Sequence, residues 1–142
     1  YLAVNPQAAD VSSLMDACVL CNRILGFVNA PALMQRTVAR LLGEKVDIGP
    51  YVQRREILCE GLSEIGYRFI KPEGTFYLFP EAPGGDDLEA VRVLQEEKIL
   101  TVPGRGFGSP GYFRISFCVD ERVIKNAMPG FKRAYEKLNQ KA

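Results

Sequence analysis

Arg114 stands in the middle of the run Tyr112-Phe113-Arg114-Ile115-Ser116-Phe117, directly behind a loop, Val102 to Gly111, rich in glycine and holding Pro103 and Pro110. The run alternates as a strand does, with Phe113, Ile115 and Phe117 on one face and Tyr112, Arg114, Ser116 and Cys118 on the other. A charge on the second face of a central strand needs a partner, because an unpaired buried charge is very costly. Two chemistries fit. One is an ion pair to a structural carboxylate or exposure on a solvated face. The other is a planar, two-point grip on a ligand carboxylate, which a guanidinium can provide and an ammonium cannot.

Gly106, Gly108 and Gly111 also spell G-x-G-x-x-G. A dinucleotide site places those glycines between a strand and a helix, so that the helix N-terminus meets the pyrophosphate. Here they lead into a strand, and Pro110 falls inside the motif. The letters match without the chemistry.

The chain contains no histidine, which removes the usual neutral-pH general base and the commonest metal ligand. Cys18 and Cys21 form a C-x-x-C pair inside a helical pattern. With only Cys59 and Cys118 elsewhere, no second pair completes a zinc site, and the pair reads as small residues on a buried helix face. The absence of a disulfide framework points to a reducing compartment. A net charge of +1 with interspersed signs gives no nucleic-acid or membrane surface. No apolar run reaches the ~20 residues of a membrane-spanning helix.

The elements that must position Arg114 follow from periodicity. Tyr1 to Val4 reads as a short buried strand, and a strand at residue 1 suggests a sequence continued upstream. Asp10 caps a helix carrying Val11, Leu14, Met15, Cys18, Cys21 and Leu25. Pro31 opens a second helix with Leu33, Met34, Val38, Leu41 and Leu42. Pro50 opens a third, which stops at Gly66. Tyr67–Ile70 and Thr75–Phe79 read as strands joined by a Lys71-Pro72-Glu73-Gly74 turn. Asp86 and Asp87 cap a short helix with Leu88, Val91 and Leu94 inward, and Ile99–Val102 reads as a strand. Asp120 caps a last helix on Val123, Ala127, Phe131, Ala134 and Leu138, in which Pro129 should leave a kink. The fold class is α+β, a small antiparallel sheet packed with helices.

In order and spacing, "KPEGTFYLFP", "ILTVPGRGFG" and "GYFRISF" before a long C-terminal helix resemble the C-terminal region of class I/II pyridoxal-phosphate-dependent aminotransferases of the aspartate aminotransferase fold. "YLAVNP" looks like the strand after that family's cofactor lysine, and "YVQRREILCEGLSEIGY" like its helix into the small domain. The resemblance implies that residues 1–45 are a remnant of the large, cofactor-binding domain and 46–142 the C-terminal small domain. It places the substrate-carboxylate arginine on Arg114, the hairpin at the active-site mouth on Gly74 and Phe76, and the approach of a dimer partner on Asn29. The implied cofactor is pyridoxal 5'-phosphate, the substrates an amino acid and a 2-oxo acid, the assembly a cytoplasmic homodimer. The Schiff-base lysine and phosphate-binding arginine would precede residue 1, so these residues alone are expected to be inactive. A lyase or synthase on the same scaffold, or a non-catalytic α+β anion-binding module, are the alternatives.

Overall fold

The computed structural model describes residues 2–27 and 29–140. The chain divides into two compact units, residues 1–46 and 47–142. The first holds helix α1, Val11–Ile24, and helix α2, Ala32–Leu41; neither has a buried residue. Three expectations fail in this unit. Asp10 precedes α1 in a left-handed conformation, and its side chain makes no cap bond. Cys18 is only half-buried and Cys21 exposed, because an apolar stripe on two short helices has little in its own unit to pack against. Leu2–Val4 is not a strand. Strands persist by pairing, and those residues pair with nothing among the described residues; Tyr1 lies outside them.

The second unit is built on helix α3, Gly49–Ile65; strand β1, Tyr77–Leu78; helix α4, Asp87–Glu96; strand β2, Val102–Pro103; strand β3, Phe113–Ser116; and helix α5, Glu121–Asn139. The strands form an antiparallel sheet in the order β1-β3-β2, so the Arg114 strand is central. Tyr77 pairs with Ser116 and Leu78 with Ile115 on one side; Val102 pairs with Arg114 on the other. The alternation holds: Phe113, Ile115 and Phe117 are buried, while Tyr112, Ser116 and Cys118 are exposed. Leu58, Cys59 and Leu62 of α3, Val93 and Leu94 of α4, and Ile124, Phe131 and Leu138 of α5 close the core over them.

Gly66 ends α3 at φ 110°, its N–H bonded to Ser63 O while Tyr67 N–H reaches Leu62 O. This six-to-one, five-to-two pair is a Schellman stop. It also explains why Tyr67–Ile70 is not a strand. The stop turns Tyr67 into the core, where its hydroxyl donates to Phe131 O at 3.0 Å and its ring meets Phe113, Phe131 and Tyr135 edge-on. Burial pushes the Tyr67 phenol above its ordinary range.

Asp86 and Asp120 cap α4 and α5 as expected. The inward face of α4 is Ala90, Val93 and Leu94 rather than Leu88, which is exposed. Helix α5 runs unbroken through Pro129, and Ile124 is buried in place of Val123.

Candidate functional site: an arginine on the open face of the sheet

Arg114 is half-buried on the face of the sheet opposite the core. Among the described residues it makes no ion pair and no side-chain hydrogen bond. Its guanidinium carbon lies over two rings instead, 4.3 Å from the centroid of Tyr77 and 4.4 Å from that of Phe107. Tyr77 comes from β1, the neighbouring strand, and Phe107 from a 3-10 turn, Gly104–Phe107, between β2 and β3. Of the two chemistries open to Arg114, the structural ion pair is therefore not made among the described residues.

The glycine loop builds that turn. Gly104 is buried against the chain, its N–H bonded to Tyr112 O at 2.7 Å and its C=O accepting from Ser109 N–H at 3.0 Å. A Cβ there would meet Tyr112 O at 2.6 Å, closer than backbone oxygen tolerates, so glycine is needed for close approach. The loop leads from this turn into β3 and not into a helix.

A second charge fixes the turn from below. Asp87, read from the sequence as a cap, is fully buried and accepts from Arg105 three times: backbone N–H at 2.9 Å, Nη2 at 2.7 Å and Nε at 3.1 Å. The Arg105 guanidinium holds the Asp87 carboxyl well below the usual carboxylate range; backbone N–H groups of Arg105 and Gly111 add to this against the cost of burial. A depressed carboxylate contributes stability that is present above its unfolded value and lost as pH falls through the folded one. Asp87→Asn should therefore lower the unfolding midpoint at pH 7. The gap to the unsubstituted chain should close as pH falls below 3.8, the group's ordinary value. Thermal unfolding from pH 7 to 2 checks this; a gap constant across the range would exclude the pair as its source.

Gly74 and Phe76 lie together on a cleft of about 280 Å³, with Tyr51, Arg55, Thr75 and Phe117 among its walls. Phe76 also leans on Tyr77 (centroids 4.5 Å apart), and its C=O accepts from Phe117 N–H at 3.0 Å. Phe76 and Arg114 thus share Tyr77 as a neighbour. The left-handed residue of this bend is Thr75 at φ 64°, not Gly74, around whose missing Cβ there is open space. A β-branched residue at positive φ is strained. Asn29 belongs to the first unit, in a bend between α1 and α2, and is exposed.

Sequence reasoning missed Tyr77, Phe107, Asp87 and Arg105. The signal for the last pair was present: adjacent aspartates at a helix start, of which only one can be the cap.

A family profile described as Aminotransferase class I and II matches residues 20–130. The chain belongs to that family. It is 36% identical over 144 aligned residues to a probable aspartate aminotransferase of Methanocaldococcus jannaschii, covering 96% of this chain and 38% of that protein. It is 36% identical over 95 residues to a probable aspartate/prephenate aminotransferase of Aquifex aeolicus, covering 62% of this chain and 24% of that protein. The crystal structure of an aminotransferase from Eubacterium rectale superposes with a TM-score of 0.89 at 40% identity, over 96% of this chain and 34% of that one. The chain therefore spans between about a quarter and two fifths of the length of these relatives. Among the described residues no helix is long and apolar enough to cross a membrane.

Proposed function

We propose that these residues form the substrate-recognition part of a pyridoxal-phosphate-dependent aminotransferase, which moves an amino group between an amino acid and a 2-oxo acid. Arg114 grips the substrate α-carboxylate. The observation that carries this is a half-buried guanidinium set over two rings, with no carboxylate paired to it among the described residues. A carboxylate arriving in the plane of the fork accepts two N–H bonds at once, which fixes its direction as well as its position. Held so, the Cα–H bond has one orientation relative to the reacting groups. Gly74 and Phe76 border the entrance. Residues 1–45 belong to the cofactor-binding domain and 46–142 to the small domain, a division that the separation of contacts near residue 46 supports. Asn29 faces a partner copy in a homodimer, and the free thiols favour the cytoplasm.

On this reading none of the described residues holds the cofactor itself. Lys71, Lys125 and Lys137 are engaged with Glu56, Glu121 and Glu96, and no lysine lines the cleft at Gly74 and Phe76. Pyridoxal phosphate, when bound, supplies the electron sink; the part of this chain is to recognise and orient. On this reading the 142-residue chain alone should be inactive. Borohydride trapping after incubation with pyridoxal phosphate, followed by peptide mapping, should label lysines diffusely. One stoichiometrically labelled lysine would overturn that division of labour. Product analysis of the enzyme that contains this chain tests the reaction: a new amino acid formed in step with a 2-oxo acid supports transfer, and an elimination product supports a lyase.

A further inference from the structure

An arginine that waits for a ligand meets two difficulties. Its long stem rotates freely, so binding must fix it at an entropic cost. A carboxylate that fixed it beforehand would also occupy its donors. Arg105 shows that second outcome, bound to Asp87 through three of its N–H groups. Arg114 shows neither: its guanidinium is placed against Tyr77 and Phe107. A ring face attracts a cation through its quadrupole and leaves the guanidinium's in-plane N–H donors for other acceptors.

We propose that Tyr77 and Phe107 are positioning residues: they hold the Arg114 guanidinium by cation–π contact and keep its charge and donors available to the substrate carboxylate. This role rests on Arg114 as the carboxylate site. Both rings are themselves braced. Phe76 leans on Tyr77 at 4.5 Å, and Phe79 meets Phe107 edge-on at 6.2 Å while stacking on Tyr112 at 5.7 Å. The Asp87–Arg105 pair and the close approach at Gly104 fix the turn that carries Phe107. Two rings from separate elements thus converge on one cation, with no aspartate or glutamate paired to it among the described residues.

Arginine Nε–H resonances of the 15N-labelled 142-residue chain, with succinate as the carboxylate probe, test the role. Arg114, identified by its loss in Arg114→Lys, should resonate upfield of the exposed arginines because two ring faces shield it. It should also shift saturably with succinate. In Phe107→Leu and Tyr77→Leu, which keep bulk and remove the ring face, the upfield shift should shrink and succinate affinity fall about three- to tenfold. Phe107→Tyr and Tyr77→Phe, which keep the face, should stay within about twofold of the unsubstituted chain. Equal succinate affinity in folded leucine variants overturns the positioning role alone. An Arg114 resonance among those of exposed arginines overturns it without any variant, even if a leucine variant fails to fold. An upfield Arg114 that ignores succinate overturns the carboxylate reading instead, and the positioning role with it.

Discussion

Arg114→Ala, in the enzyme that contains this chain, should lower kcat/KM for amino-acid substrates by at least about 1.5–3 kcal/mol, roughly ten- to 150-fold, the worth of charge-assisted hydrogen bonds. The loss should exceed that range where a substrate freed at its carboxylate turns away from the reacting geometry. Arg114→Lys should recover only part, since an ammonium keeps the charge but not the planar fork. The fold should lose at most about 1–2 kcal/mol. Among the described residues no carboxylate is paired to Arg114, so its removal strands none, and the lost ring contacts are worth about 0.5–1 kcal/mol each. Cofactor absorbance should be unaltered. Steady-state kinetics beside a thermal melt separates the two effects, and an equal loss of melting stability and activity would count against a recognition role.

Phe113→Ala should have the opposite profile, a large loss of stability. Phe113 is fully buried in the central strand, its ring edge-on to Tyr67 at 6.0 Å and its N–H bonded to Pro80 O at 3.0 Å. Removing a buried phenyl costs about 3–5 kcal/mol in lost transfer energy and cavity. Helices α3, α4 and α5 all supply buried side chains to the same core, so collapse into the gap is resisted. Urea unfolding of the 142-residue chain measures it, with Tyr112→Ala on the exposed face as control. A loss below about 1 kcal/mol would mean that the core does not close over β3 in solution.

The Arg114 strand was legible because a two-residue alternation of large apolar and polar side chains has one reading: Phe113, Ile115 and Phe117 could only face a core. Gly66 and Asp120 were legible for a similar reason, each being a local solution to unsatisfied helix-end groups. What was not legible depends on distant partners. Tyr67–Ile70 has the composition of a strand, yet Tyr67 is held by a carbonyl 64 residues away. Asp87 looks like a second cap until Arg105 is placed beneath it. Just beyond the turn at Lys71–Gly74 the chain places Thr75 in the left-handed region, and no pattern of neighbours announces a strained threonine. At the site, the sequence singled out the cation and its loop. The rings that seat it, Tyr77 and Phe107, lie 37 and 7 residues away along the chain, and only the sheet register and the 3-10 turn bring them to it.

Arg114 is proposed to act through the substrate carboxylate. The most direct measurement compares kcat/KM for one amino acid with that for the amine left when its carboxylate is removed, in the unsubstituted enzyme and in Arg114→Ala. A strong preference for the amino acid should collapse in Arg114→Ala, with activity on the amine unchanged. A preference that survives the substitution, both activities falling together, would contradict it.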